Sequence, residues 1–391
     1  MTYNFDEPVS RESTSCVKYD ARENVFGTDK VIPMWVADMD FKCPPEIIEA
    51  LHKRLDHEIL GYTVRRDEYF LSLVEWLKRR HSWHIENEWI SFSPGVVPAL
   101  NICTLAYTEP GDRIIVQPPV YFPFFTAVTD HKRELVYNPL LEEEGRWKID
   151  FDGLEAKAAE GARMLFLCNP HNPVGRAWTK SELARLADIC LRNDILILSD
   201  EIHSDLILPG HKHTPLASLS QDIAASTITC MAPSKTFNIA GLSTSSVIIS
   251  DQGLKEKFDT VINSLHITGG NIFGTEASIA AYSSGDEWLD RMLDYVKVNI
   301  DYVLDKFSNN EFTRPVPPEA TYMIWLDCRS MGMSPGELNS FFVNEAGVGM
   351  NEGSVFGPGG EGFMRMNLAC PLATVKKAVD NIENALLKLK T

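Results

Sequence analysis

The stretch RMLFLCNPHNPVGRAWTKSELARLADICLRNDILILSDEIH, residues 163–203, reads as one strand–helix–strand unit. Arg163 to Cys168 is an apolar run of strand length. Thr179 and Glu182 then form a T-x-x-E capping box, and Leu183, Leu186, Ala187 and Cys190 follow at i, i+3, i+4 and i+7. That spacing places one apolar stripe on one face of a helix. Asp194 to Ser199 is a second apolar run. Neither run alternates apolar with polar residues, so both strands are expected to be covered on both faces, as strands of a parallel sheet are.

The pattern continues on either side. Asp112 to Gln117, Ser226 to Met231 and Ser245 to Ile249 are further short apolar runs bounded by turn residues. The alternation predicts an α/β fold with a mostly parallel sheet, in which ligands bind beyond the carboxyl ends of the strands. After about residue 285 the texture changes to a long helical pattern from Glu287 to Lys306, then RPVPPEATYMIWLD, the turn FGPGGEG and a closing helix from Ala373. We expect a large domain over residues 46–285 and a smaller α+β domain formed by 1–45 with 286–391.

Composition narrows the function classes. The chain has 391 residues, 44% of them hydrophobic, enough for a large core. Its formal net charge of −17, without a long basic run, argues against a nucleic-acid partner but leaves small anions open. The apolar runs stop well short of a membrane span, and MTYNFDEPVSRES contains no hydrophobic signal region, so a cytoplasmic protein is expected. Eight cysteines stand without any C-x-x-C pair, which favours reduced, buried thiols over disulfides or zinc.

The chemistry follows the strands. After DRIIVQ comes Tyr121, after RMLFLC come Asn169 and Asn172, after DILILS come Asp200, Glu201 and His203, and after STITCM come Ser234 and Lys235. Each has an ordinary structural explanation alone: Tyr121 as a rim aromatic, Asn172 as a turn former before proline, Asp200 as a helix cap. Together they suit an aldehyde cofactor with a pyridine ring. Such a cofactor needs an amine to form an imine, a carboxylate to keep the ring nitrogen protonated, an amide for the phenolic oxygen and an aromatic face for stacking. SPGVVPALNICTLAY, residues 93–107, adds a Pro-Gly turn and a helix with Val97, Leu100 and Leu105 apolar, whose free N–H groups at its start can hold a phosphate.

Eight motifs in order carry a resemblance that covers essentially the whole chain: VIPMWVADMDF (31–41), GYTV (61–64), SPGVVPAL (93–100), PPVYFPF (118–124), NPHNPVGR (169–176), SDEIHSDL (199–206), APSKTFNIAGL (232–242) and MRMNLACP (364–371). The chain resembles the fold-type I pyridoxal 5'-phosphate enzymes, and among them the MalY/PatB-type C–S lyases. The resemblance implies a seven-stranded, mostly parallel sheet flanked by helices, with a smaller domain beside it. It implies Lys235 as the Schiff-base lysine, Asp200 beside the pyridine nitrogen, Asn172 near the phenolic oxygen, Tyr121 stacked on the ring and Arg365 as the clamp for the substrate α-carboxylate. The backbone amides of Val96 and Val97, with Ser234, would hold the phosphate. Tyr62 would reach the phosphate of a neighbouring subunit, which makes a homodimer with shared active sites the expected assembly.

The sequence departs from the wider aminotransferase pattern at three places. Ala232 and Ser243 stand where many relatives carry serine and a phosphate-binding arginine, so the phosphate clamp carries less charge. His203 stands where many aminotransferases have tyrosine; hydrogen-bonded support and direct catalysis are both open to it. The expected reaction is β-elimination from cystathionine or another cysteine S-conjugate, a small amino-acid thioether, to a thiol, pyruvate and ammonia. The alternatives are an aminotransferase using the same lysine and a regulatory binding protein that retains the cofactor.

Overall fold

The computed structural model describes residues 3–389. Seven strands form the main sheet: β1 Ile90–Ser93, β2 Arg113–Val116, β3 Glu134–Tyr137, β4 Met164–Cys168, β5 Leu196–Asp200, β6 Thr227–Met231 and β7 Ser245–Ile248. Their order across the sheet is β1-β7-β6-β5-β4-β2-β3, and only β7 runs against the others. The five apolar runs seen in the sequence are β2, β4, β5, β6 and β7. The two edge strands were not legible in the same way. β1 alternates apolar Ile90 and Phe92 with Ser91 and Ser93, and β3 has two exposed side chains, Glu134 and Tyr137, as an edge strand allows.

Both faces of the sheet are covered. Along β4, Met164, Phe166 and Cys168 enter one apolar cluster, while Leu165 and Leu167 enter the cluster on the opposite face. Alternate side chains of a strand point to opposite faces, so a continuous apolar run is required when helices lie on both. Each such side chain contributes on the order of 2 kcal/mol by leaving water. Among the covering helices are α1 Asp67–His81, α2 Val96–Tyr107 and α3 Lys180–Arg192, the last with the Thr179–Glu182 capping box formed and Leu183, Leu186, Ala187 and Cys190 buried. In α2 the expected apolar face is displaced. Leu105 is exposed and Val97 half-buried, whereas Val96, Ala99, Leu100 and Cys103 are buried. The physical reason is angular, since five residues from Leu100 to Leu105 turn the helix about 140° past a full turn.

The chain then forms the short helix α4 Pro233–Thr236, the long helix α5 Asp286–Lys306 and the closing helix α6 Leu372–Lys388. A separate antiparallel sheet joins β8 Arg314–Val316, β9 Met323–Asp327, β11 Phe363–Asn367 and β10 Asn351–Glu352, in that spatial order. The N-terminal segment reaches this sheet's neighbourhood by a short parallel ladder, Ile32 with Val348 and Pro33 with Gly349. Asn367 pins the next turn by donating to the carbonyls of Val36 and Asp38, both at 2.6 Å. Lys18 is buried there against Asp40 at 3.1 Å, and Arg11 donates to both Asp38 and Asp40. VIPMWVADMDF is therefore held firmly between the two sheets.

All eight cysteines are free thiols, six of them buried. Among the described residues no helix is long and apolar enough to cross a membrane, and no cluster of side chains has the makings of a metal site.

Candidate active site

The order of the main sheet reverses between β2 and β4, and the register brings Cys168, Asp200 and Cys230 side by side at the strand ends. A crevice opens beyond such a reversal. There the segments after β2, β4, β5 and β6 line a cavity of about 320 Å³ together with residues from the N-terminal segment and the smaller sheet. Nine of the ten expected site residues meet in it: Val96, Val97, Tyr121, Asn172, Asp200, His203, Ser234, Lys235 and Arg365.

Lys235 sits in α4, immediately after β6. Its Nζ donates to the carbonyl of Ala37 at 2.7 Å. Burial, aided by the positive charge of Arg365, lowers its pKa to about 8, against the opposing pull of Asp38 and Asp200. Asp200 ends β5 and is 5% exposed. One of its oxygens accepts the N–H of Ile202 at 3.1 Å. Burial pushes its pKa up to about 7, with the neighbouring Glu201 adding to the rise. The site therefore presents a buried carboxyl whose ionised form would be stabilised by a cation placed beside it.

Arg365 lies in the middle of β11, opposite Trp325 and Asn351. Its guanidinium donates to Asn172 Oδ1 at 3.1 Å, to the Trp35 carbonyl at 2.8 Å and to Asn351 Oδ1 at 2.7 Å, and it stands over the ring of Phe356. Every one of these acceptors is neutral. Among the described residues Arg365 has no carboxylate partner, and its Nε has no hydrogen-bond acceptor. A buried guanidinium held this way is preorganised for an anion that the protein does not supply. Elsewhere in the lining, α2 begins at Val96 with no capping side chain from Gly95, which leaves the N–H groups of Val96 and Val97 directed out of the helix start.

Comparison with known proteins agrees with this geometry. Residues 29–382 match the family model for aminotransferase class I and II. Cystathionine beta-lyase PatB of Bacillus subtilis is 46% identical, over 98% of this chain and 100% of the relative. The chain belongs to the class I and II aminotransferase family. Protein MalY of Escherichia coli is 30% identical over 98% of this chain and 99% of its own. The crystal structure of cystalysin from Treponema denticola, which contains a pyridoxal 5'-phosphate cofactor, superposes with a TM-score of 0.97 at 38% identity and full coverage of both chains.

In this member of the aminotransferase family, Tyr62 is the expected residue that the single chain does not bring to the cavity. It is fully exposed, in a segment without regular structure that also exposes Ile59, Leu60 and Val64. His203 is buried at the cavity wall. Its Nδ1 has no partner among the described residues, and burial with the charges of Lys235 and Arg365 lowers its pKa to about 3. It stands there as a neutral imidazole. Ser243 is exposed at the end of its turn and does not line the cavity.

Sequence reasoning missed Asn351 and Tyr322. Asn351 holds Arg365, and Tyr322 donates to the Ala37 carbonyl at 2.9 Å. Neither follows a strand of the main sheet, and MNEGSVFG carries no spacing that separates a ligand-facing asparagine from a turn former. Cross-strand pairing of Asn351 with Arg365 is the only signal, and it exists only in the folded chain.

Proposed function

We propose that this protein is a pyridoxal 5'-phosphate-dependent carbon–sulfur β-lyase that cleaves cystathionine or a related cysteine S-conjugate to a thiol, pyruvate and ammonia. The observation that carries the proposal is the presence in one cavity of a depressed-pKa lysine and a buried arginine without an acidic partner. PatB, 46% identical along its whole length, is a cystathionine beta-lyase.

The residues fit the cofactor. Asp200 is a buried carboxyl that feels the Lys235 charge and makes no contact ion pair among the described residues, which leaves it open to a protonated pyridine nitrogen. Tyr121 offers a ring at the cavity wall, Asn172 an amide, and the α2 start with Ser234 offers donors for a phosphate. When bound, pyridoxal 5'-phosphate supplies an aldehyde for the lysine or substrate amine and a ring that accepts the electron pair left by a departing Cα proton.

The protein's own groups then divide the work. Arg365 binds the α-carboxylate through paired N–H donors and so orients the Cα–H bond. Lys235 is a sufficiently weak base when buried to exist partly as the neutral amine near neutral pH, and that amine can take the Cα proton. Asp200 would be held ionised by a positive ring nitrogen placed beside it. Trp35, Val36, Tyr121 and Phe122 add apolar surface to the cavity lining.

The working unit in this proposal is a cytoplasmic homodimer. The exposed stretch Ile59, Leu60, Tyr62 and Val64 is the surface that would deliver Tyr62 to the partner's phosphate, and free thiols suit a reducing compartment. The deciding experiment incubates cofactor-loaded protein with cystathionine, cysteine and an S-alkyl cysteine, without any keto acid, and measures pyruvate and free thiol together. Equal yields of both support the lyase. Amino-group transfer only on adding a keto acid, with no thiol, would establish an aminotransferase instead.

A further inference from the structure

Behind the cavity lies a buried polar cluster that the reaction above does not use. Asp205 Oδ1 accepts from His81 Nε2 at 2.7 Å and from Trp76 Nε1 at 3.0 Å, and its Oδ2 accepts the hydroxyl of Thr236 at 2.9 Å. Glu201 lies in the same cluster. It takes His213 Nε2 at 2.8 Å, the Ser199 hydroxyl at 2.8 Å and the Leu216 N–H at 3.0 Å. The rings of His81 and His213 meet edge to face at 5.3 Å. All four oxygens of the two carboxylates are thus engaged, and every residue of the cluster but Leu216 contributes a side-chain polar atom.

Thr236 is the residue after Lys235, and both belong to α4, a helix of only four residues. One turn of helix does not support itself, because nucleation is unfavourable and a single turn gains almost nothing from propagation. Its N-cap is Ala232, which has no side chain to cap it. The placement of Lys235 must come from contacts outside the turn. The hydroxyl of Thr236 on Asp205 is a polar contact of that kind, and Asp205 is itself fixed by two residues of α1. A buried carboxylate with three donors is a rigid anchor, since moving it leaves donors unpaired at a cost.

We propose that Asp205, held by His81 and Trp76, is a positioning residue that sets the placement of Lys235 through the hydroxyl of Thr236. The inference rests on the reading of Lys235 as the reacting amine. If the hydroxyl contact is lost, the turn loosens, and the amine is no longer confined on the Ala37 carbonyl beside Arg365, with Asp38, Asp200 and His203 as its other polar neighbours. Its ammonium then gains access to solvent, and its pKa returns toward the ordinary lysine value.

The test compares Thr236→Val, which keeps the shape and deletes the hydroxyl, with Thr236→Ser, which keeps the hydroxyl. Lys235 of the full cofactor-stripped chain is reductively methylated with formaldehyde and cyanoborohydride across pH, and its labelling is read by mass spectrometry. Loss of confinement worth about one pH unit lowers the neutral amine, and so the labelling at pH 8, by about fivefold in the valine variant. In loaded protein the same variant should lose about tenfold in kcat with KM little changed, because the amine acts on the transition state and not on substrate binding. Serine should restore both readouts. Labelling of Thr236→Val like the parent, or a serine variant as impaired as the valine one, would overturn the proposal. Should Thr236→Val fail to fold, His81→Gln removes one support of Asp205 and should lower labelling about twofold; unchanged labelling in that variant would overturn the proposal equally. The labelling arm needs no turnover, so a parent protein that forms no pyruvate would count against the lyase reading alone.

Discussion

Lys235 Nζ donates a hydrogen bond to the carbonyl of Ala37, which lies 198 positions earlier in the chain. Tyr322, immediately before β9 of the smaller sheet, donates to the same oxygen. Three distant parts of the sequence therefore meet at one carbonyl, and the amine that follows the main sheet's β6 is held by the N-terminal segment. Tyr322 can satisfy that carbonyl when Lys235 leaves it, so departure of the amine does not strand a buried acceptor.

Replacing Lys235 with alanine should leave the fold intact, abolish the visible absorbance of lysine-linked cofactor and lower turnover by about 10³-fold or more, since the linking amine and the base are lost together. Absorbance spectroscopy and pyruvate release check this. Undiminished pyruvate formation in the variant would remove Lys235 from the mechanism.

Arg365→Lys should lower kcat/KM by roughly 10²-fold, because an ammonium cannot reproduce the paired donors and leaves Asn172 or Asn351 short of a partner. Steady-state kinetics with cystathionine and with its decarboxylated analogue provide the measurement. The variant's defect should be much smaller with the analogue, which has no α-carboxylate on the reacting half.

The pH dependence of cofactor-free stability has a definite sign at Asp200. Its folded pKa is raised to about 7. Between the ordinary carboxyl value and that point the folded state binds more protons than the unfolded one, so this residue's contribution falls as pH rises, by about 2 kcal/mol between pH 5 and 7. Denaturant unfolding of Asp200→Asn against the parent should show that slope vanish. Cofactor should also stabilise the parent more at pH 8, where Asp200 is ionised and would meet a ring cation, than at pH 5, where it is protonated.

His203 has the opposite sign. Its folded pKa is lowered to about 3, so the unfolded chain takes up the proton first and stability is lost as pH falls below the ordinary histidine value, by about 2 kcal/mol at pH 5. His203→Asn should flatten this acid limb. An acid limb as steep as the parent's would mean that His203 takes up a proton in the folded protein.

Subunits carrying Tyr62→Phe, mixed with subunits carrying Lys235→Ala, should recover activity that neither has alone. One interface of the hybrid then joins an intact Tyr62 to an intact Lys235. Loss of a phosphate hydrogen bond should weaken cofactor retention by about 1 to 3 kcal/mol in Tyr62→Phe. The check is pyruvate release after verified subunit exchange, and no recovery would place Tyr62 outside a shared site.

Much of this protein is determined by local pattern. The continuous apolar runs of β2, β4, β5, β6 and β7 define a sheet covered on both faces, and Thr179 with Glu182 starts α3 where the capping box places it. Because the strands end in register, the residues that follow them, Tyr121, Asn172, Asp200 and Lys235, were bound to meet, and motif order was enough to place them at one edge. Tertiary structure alone decided the rest. Arg365 is confined by Asn172, Trp35 and Asn351, Lys235 is parked on Ala37, and Thr236 is tied to Asp205. These are contacts between residues far apart in the chain, and hydrogen bonds of that kind leave no period or spacing in a sequence. Tyr62 marks the remaining boundary: its exposure in one chain follows from a segment that finds no partner surface within that chain.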